Sequence, residues 1–150
     1  MIIKETLVNM TALSPLITEA IERGIDVKLK VTGDSMYPLL HDRVDNILLT
    51  KHGKLGLLDV PLYKRENGQY VLHRIVKISN GIYFTAGDNE TEVEYPVYKE
   101  QIIAVLKGIY RGDKYISCSS FPYRFYSFVW ALVLPFRHTI IRFYKAVRRR

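Results

Sequence analysis

The chain has 150 residues, with 22 Lys and Arg side chains against 15 Asp and Glu, which gives a formal net charge of +7. This length predicts one domain that can bury its own core, and the single cysteine, Cys118, excludes an internal disulfide. Residues 121–150 hold seven basic side chains and no acidic one, so the first 120 residues are neutral and the positive charge belongs to the C-terminal part.

The first predicted element is a helical segment over residues 3–23. Ser14 and Pro15 suit the N-cap and the first helical position, so a helix is expected to begin there and any helix before Pro15 to end. Gly24 is a good stop signal for this helix. Residues 1–5 lack a charged region that leads into an apolar one, and no secretory signal is predicted.

From residue 26 to about residue 117 the pattern is one of β-strands. The clearest hairpin has Asn80-Gly81 between two β-rich runs. The predicted fold is a mainly β, coiled antiparallel domain with an N-terminal helix and a helical C-terminal segment. The predicted strands are residues 26–32, 46–50, 60–64, 69–78, 81–86 and 101–110. The predicted parts are a helical segment (1–25), a β catalytic domain (26–117) and a basic, aromatic C-terminal segment (118–150).

Ser35 is the candidate nucleophile. It follows an alternating strand and the flexible Gly33, and Met36 and Pro38 come after it in the string GDSMYP at residues 33–38. This arrangement would hold a hydroxyl at the end of a strand. A serine hydroxyl is a poor nucleophile at neutral pH, so it needs a base within hydrogen-bond reach.

His73 is the candidate base. It lies in the apolar run YVLHRIV at residues 70–76, where a histidine taken alone is more often a satisfied core residue. Its combination with Ser35 and Asp88 favours catalysis, since a hydroxyl, an imidazole and a carboxylate form the relay used for acyl transfer. Histidine is mostly neutral at about pH 7 and can accept the serine proton. Asp88, in the string GDN at residues 87–89, is expected to fix the imidazole tautomer from the other ring nitrogen.

The other histidines and the cysteine predict no metal site. His41 and His52 lie in polar, loop-like stretches, and His138 lies among arginines. No two of these histidines have the spacing of metal ligands, and Cys118 is isolated, so neither zinc nor another cofactor is predicted.

The strings GDSMYP, YVLHRIVKI and AGDNE resemble the serine, base and aspartate boxes of the type I signal peptidases and of the related LexA-like self-cleaving peptidases. The resemblance runs from about residue 25 to residue 110, and the order and spacing of the boxes fit. His73 directly before Arg74 is similar to the endoplasmic-reticulum and archaeal-type branch, which uses histidine where bacterial leader peptidases use lysine. Asp59 resembles the box that starts a strand in that family, with Leu58 at a position where glycine is usual.

The resemblance implies a serine endopeptidase that cleaves a leader or pro-segment from a peptide or precursor protein. The substrate would add as an extended strand beside the site and place a small residue before the cut. Ser35, His73 and Asp88 would be the catalytic residues. Gly33, Ser35 and Met36 would bind the oxyanion and the substrate through main-chain donors, chiefly the Ser35 amide.

Residues 121–150 are basic and rich in aromatic side chains, and their partner is open. The apolar run at residues 125–136 is shorter than the roughly 20 residues that a helix needs to cross a bilayer. One alternative is an anionic membrane surface, which predicts a protein peripheral at the inner, cytoplasmic face of a membrane. The second is packing on the β-domain, which predicts a cytoplasmic protein. Nucleic acid is the least favoured partner, because the rest of the chain adds no basic surface.

Two functions of different classes remain open. One is the serine endopeptidase with a Ser–His–Asp relay. The other is a catalytically inactive or regulatory peptide-binding module on the same fold. The complete set of Ser35, His73 and Asp88 argues against the inactive module, since such a module has no need of all three groups.

Overall fold

The computed structural model describes residues 10–149, with side chains from residue 14 onward. It is mainly β, with a curled antiparallel sheet and helices at both ends, which confirms the predicted fold class. The helices are α1 (Met10–Glu22), α2 (Phe121–Leu132) and α3 (Arg137–Arg148). The strands are β1 (Val27–Lys30), β2 (Asn46–Thr50), β3 (Pro61–Lys64), β4 (Tyr70–Leu72), β5 (Arg74–Ser79), β6 (Ile82–Ala86), β7 (Glu94–Val97), β8 (Ile102–Arg111) and β9 (Lys114–Ser117).

The strands form two antiparallel sheets. The first has the order β1-β2-β8-β3-β4, and β9 also pairs with β8. The second has the order β5-β6-β7. With 10 residues, β8 is long enough to pair with β2 along one edge and with β3 and then β9 along the other. This strand therefore organises the first sheet.

The chain passes from the first sheet to the second at His73. Leu72 pairs with Leu62 on β3, whereas Arg74 pairs with Ala86 on β6. The sequence predicted one strand over residues 69–78, and the structure divides it. Three successive residues, 73–75, are buried, which a straight strand with one solvent face does not allow. The imidazole consequently lies at the crossing between the sheets.

Local turn chemistry accounts for the second sheet only in part. The predicted hairpin is confirmed, since Asn80 and Gly81 have φ of 52° and 74°, as its tight turn requires. Strand β7 was not predicted, because Pro96 argues against a strand. As the edge strand of its sheet, β7 accommodates a residue without an N–H.

The N-terminal helix differs from the prediction at its start. The described part of α1 runs from Met10 through Ser14 and Pro15, so the helix does not begin at Ser14, and residues 3–9 of the predicted segment lie outside the described residues. The Ser14 hydroxyl accepts a hydrogen bond from the Tyr70 hydroxyl at 2.6 Å, which ties α1 to β4. Tertiary packing thus overrides the local signal at Pro15. The predicted stop is confirmed, with Gly24 at φ 77°.

Two apolar clusters hold the sheets in place. The first lies between α1 and the first sheet and includes Ile17, Leu49 and Tyr123 of α2. The second surrounds Tyr63 and Ile75, close to the crossing. The clusters fix the two chain segments that carry the predicted nucleophile and base.

The C-terminal segment forms α2, a 3-10 turn (Leu134–Phe136) and α3. It buries Tyr123, Ser127 and Arg137 against the rest of the protein. None of the helices in residues 10–149 is long and apolar enough to span a bilayer.

Candidate active site

Ser35 and His73 line one cavity of about 320 Å³. Its lining includes residues 31–36, which come directly after β1, and residues 69–73, which contain the edge strand β4. Among the residues that the structure describes, the Ser35 hydroxyl forms no hydrogen bond with the imidazole. The two side chains therefore line one cavity without a hydrogen bond between them, and catalytic hydrogen bonds are often long or poorly aligned in enzymes without substrate.

The turn that carries Ser35 is fixed by its own backbone and by apolar anchors. Tyr37 N–H donates to the Asp34 carbonyl oxygen at 3.0 Å. Leu40 N–H donates to the Met36 carbonyl oxygen, also at 3.0 Å. Met36 and Leu40 are buried in the cluster against the first sheet. These anchors leave Ser35 half-buried at the cavity.

The main-chain donors near Ser35 differ in their availability. Gly33, at φ 88°, donates its N–H to Asp42 Oδ1 at 2.8 Å. That amide is engaged, so Gly33 contributes a left-handed conformation to the turn instead of the expected oxyanion donor. The N–H groups of Ser35 and Met36 donate no hydrogen bond to any described residue. Neither amide is therefore engaged by the part of the chain that the structure describes.

The loop of residues 87–90, the clamp loop, packs directly on the turn that carries the candidate nucleophile Ser35, the nucleophile turn. Asn89 N–H donates to the Ser35 carbonyl oxygen at 2.9 Å, and Asn89 Nδ2 donates to the Asp34 carbonyl oxygen at 3.1 Å. A Cβ at Gly87 would lie 2.5 Å from the Ser35 carbonyl oxygen. Only glycine permits this approach of the two backbones, so the loop acts as a clamp on the turn.

His73 is buried among two carboxylates and a phenol. Its Nε2 lies 3.7 Å from Glu90 Oε2, and its Nδ1 lies 3.9 Å from Glu94 Oε2 and 3.5 Å from the Tyr63 hydroxyl. Burial lowers the pKa of His73 to about 4, and the negative charge of Glu94 opposes this only in part. The imidazole is consequently neutral at about pH 7, as a general base must be.

Tyr63 and Glu94 form a network behind the imidazole. The Tyr63 hydroxyl donates to Glu94 Oε2 at 3.0 Å and lies 2.9 Å from the Thr85 hydroxyl. Arg65 binds both oxygens of Glu94, at 2.9 and 2.7 Å. Burial raises the pKa of Tyr63, so the phenol stays protonated. Because the phenol O–H donates to Glu94, the phenol oxygen can accept from Nδ1–H of His73, which leaves Nε2 unprotonated, 3.7 Å from Glu90 Oε2.

Asp88 lies at a different place from the predicted one. Its Oδ1 and Oδ2 accept from Arg74 at 2.9 and 3.0 Å, and Oδ2 also accepts from the Tyr126 hydroxyl at 2.9 Å. Asp88 and Arg74 are both fully buried. Asp88 therefore does not orient His73 by a hydrogen bond, because the adjacent guanidinium, which is itself buried, takes the carboxylate.

Of the three groups around His73, Tyr63 had a signal in the sequence and Glu94 had none. The Asn67-Gly68 turn joins β3 to β4 and sets Tyr63 opposite Val71, two residues before His73. That register could have placed the phenol beside the imidazole. Glu94 begins β7. Because the sequence did not predict this strand, it gave no reason to place Glu94 near His73.

Asp59 holds the turn before β3. Its Oδ2 accepts from Gly56 N–H at 2.8 Å, and its carbonyl oxygen accepts from Ile75 N–H at 2.8 Å. Leu58 has φ 76°, in the left-handed region that favours glycine. The residue that departs from the resembled box therefore keeps the backbone conformation that a glycine would give.

The remaining candidates lie apart from the cavity. His41, His52 and Cys118 are half-buried and do not line it. Burial raises the pKa of the Cys118 thiol to about 11, which makes it a poor nucleophile. Within residues 10–149, no group of three His, Cys, Asp or Glu side chains has the arrangement of a metal site.

Comparisons with models of known protein families and with curated proteins give no match for this chain. The functional assignment therefore depends on the motifs and on the geometry described above.

Replacing Gly87 with Ala should push the loop off the nucleophile turn. The new Cβ would lie 2.5 Å from the Ser35 carbonyl oxygen and 3.2 Å from the Glu90 side chain. We expect a loss of about 1–3 kcal/mol in the free energy of unfolding, measured in urea. The control is Gly53→Ala, where a Cβ meets nothing within 4 Å. Equal losses in the two variants would contradict the close packing of the loop on the turn.

Burial of His73 should make the protein less stable in acid. The pKa of His73 is about 4 in the folded protein and has an ordinary value of 6.5, so the unfolded chain binds the proton more strongly. The stability contribution is present above about pH 6.5 and is lost as the pH falls through about 4. Urea midpoints across this range should fall less in His73→Gln than in the wild type, whereas the control His52→Gln should follow the wild type. Parallel curves for His73→Gln and the wild type would exclude the imidazole as the cause.

Proposed function

We propose that the protein is a serine endopeptidase of the signal-peptidase type, in which Ser35 attacks a peptide carbonyl and His73 accepts its proton. The observation that carries this proposal is that Ser35 and a buried, neutral imidazole line one cavity, beside two main-chain N–H groups with no partner among the described residues. A hydroxyl, a neutral base and free amide donors are the parts that acyl transfer needs.

The reaction begins when Ser35 Oγ bonds to the carbonyl carbon and its proton passes to Nε2 of His73. The N–H groups of Ser35 and Met36 stabilise the negative oxygen that forms. The imidazolium then gives its proton to the leaving amine, and the peptide bond breaks. Water, deprotonated by the same imidazole, hydrolyses the acyl group from Ser35 and restores the enzyme.

In this proposal, Tyr63 and Glu94 take the role that the sequence analysis gave to Asp88. The Tyr63 oxygen accepts from Nδ1–H, and the Glu94 carboxylate stabilises the imidazolium at 3.9 Å. Arg65 holds this carboxylate in position. Asp88 contributes through Arg74, which fixes the backbone next to His73.

The edge of the first sheet supports an extended peptide as the proposed substrate. β4 is the terminal strand of its sheet, and residues 70–72 of it line the cavity. An extended peptide can therefore add beside β4 by main-chain hydrogen bonds. Val31, Met36 and Leu40 give the cavity an apolar part of limited volume, which suits a small side chain before the cut.

Substitutions of Ser35 and His73 should abolish cleavage without unfolding the protein. Precursor peptides encoded by neighbouring genes are incubated with the purified chain, and products are identified by mass spectrometry. Ser35→Ala and His73→Ala should each lower the rate by several orders of magnitude, and Asp88→Asn by less. The wild-type rate should rise with pH through a value well below 6.5 and be level at neutral pH, since the pKa of His73 is about 4.

The matched controls are Ser119→Ala, an exposed serine, and His52→Ala, outside the cavity. Both should keep the wild-type rate. Full activity in His73→Ala would refute the assignment of the base. Binding of a precursor without any product, equal in the wild type and Ser35→Ala, would support the peptide-binding module instead.

The partner proposed for the C-terminal segment is an anionic membrane surface. Tyr123, Ser127 and Arg137 are buried against the domain, whereas many large apolar side chains of the segment are exposed. The exposed large side chains are Phe121, Phe125, Phe128, Val129, Leu132, Phe136, Ile140, Phe143, Tyr144 and Val147. Exposed basic residues lie among them at Arg124, Arg142, Lys145, Arg148 and Arg149. An exposed aromatic surface with cations suits the headgroup region of anionic lipids.

The full chain should sediment with vesicles that contain anionic lipid. Each basic side chain near such a surface is worth about 1 kcal/mol, so binding should weaken in high salt, and the apolar contact should keep it measurable. Replacing Phe121, Phe125 and Phe128 together with Ser should release most of the protein. The control replaces the exposed Tyr95 and Tyr115 on other surfaces with Ser. Equal sedimentation of both variants would exclude this face as the membrane contact.

A further inference from the structure

The C-terminal segment touches the clamp loop at two successive carbonyl groups. Arg137 Nη1 donates to the Gly87 carbonyl oxygen at 3.1 Å. Trp130 Nε1 donates to the Asp88 carbonyl oxygen at 2.7 Å. These contacts bridge 50 and 42 residues of sequence.

The amide ends of the same two peptide groups face the nucleophile turn. Asn89 N–H, which belongs to the peptide group of the Asp88 carbonyl, donates to the Ser35 carbonyl oxygen at 2.9 Å. Asp88 N–H, which belongs to the peptide group of the Gly87 carbonyl, donates to Met36 Sδ at 3.5 Å. A peptide group is planar and rigid, so its two ends move together.

Burial of the Arg137 side chain is energetically unfavourable. Its side chain is fully buried, and it forms no ion pair with any described carboxylate. Its donors go to the Gly87 carbonyl oxygen and, at 3.2 and 2.8 Å, to the Trp130 carbonyl oxygen. The guanidinium also lies 5.1 Å from the centre of the Trp130 ring. Desolvation of a cation is unfavourable, so we attribute the burial of Arg137 to the planar arrangement of its hydrogen-bond donors.

We infer that Trp130 and Arg137 are positioning residues for Ser35, which they hold through the peptide groups that join residues 87, 88 and 89. Trp130 fixes the carbonyl end of the group whose N–H binds the Ser35 backbone. Arg137 fixes the group whose N–H contacts Met36, the residue that supplies the second free amide. The direction of the Ser35 and Met36 amides thus depends on the C-terminal segment. The inference deepens the proposed function, on which only its kinetic part rests.

Hydrogen exchange in the full chain tests the structural part without any substrate. Trp130→Phe keeps an aromatic ring and removes the N–H, and Arg137→Lys keeps the charge and removes the planar fork. Each should make the Asn89 amide exchange about tenfold faster by NMR, because its peptide group loses a fixed end. Amides in the centre of β8 should keep their exchange rates. The controls are Phe128→Leu and Arg142→Lys, two exposed residues on the same helices.

An unchanged Asn89 amide in both variants would overturn the inference. Faster exchange throughout β8 would also overturn it, because the two residues would then stabilise the whole fold. In the cleavage assay, both variants should lower kcat with little change in KM, since the nucleophile is misplaced while the substrate groove remains. A rise in KM alone would assign them to substrate binding instead. If the two variants show faster exchange at Asn89 but the wild type cleaves no precursor, the positioning role stands and the peptidase proposal is refuted.

Discussion

A buried ion pair between Arg74 and Asp88 joins three parts of the molecule. Arg74 lies at the crossing between the sheets, Asp88 lies in the clamp loop, and Ser127 of α2 accepts a further hydrogen bond from the guanidinium at 2.7 Å. Neither charged side chain is exposed. Removing one partner of such a pair costs about 3–5 kcal/mol, because the other charge stays buried and unpaired. The Arg74–Asp88 pair therefore joins the second sheet, the clamp loop and the C-terminal segment at one point.

The C-terminal segment has a buried side and an exposed side. The inner side reaches the clamp loop through Tyr126, Trp130 and Arg137. The outer face is apolar and basic, and no described residue covers Phe121 or Phe143, which are 78% and 72% exposed. Several large aromatic side chains of the segment nevertheless remain exposed, which is why we propose a surface outside the protein as its partner.

The sequence predicted features whose causes are local. The Asn80-Gly81 turn is encoded by two residues, and the strands on either side follow from their composition. Ser35 and His73 were both recognised from short strings, and they do line one cavity. The partner of Asp88 could not be predicted in the same way, since it depends on the burial of Arg74 and on the docking of α2 from 38 residues away. Glu94 was missed because Pro96 obscured its strand.

The adjacency of His73 and Arg74 bears on strand register. Arg74 begins β5 and His73 lies directly before it, so a slip of one residue at the crossing exchanges their two environments. Such a slip at the crossing would place a permanent cation in the cavity of Ser35 and a neutral imidazole against Asp88. The carboxylate would then be buried without its cation, which is costly. The Arg74–Asp88 pair thus selects the register in which the imidazole, and not the guanidinium, lines the cavity of Ser35.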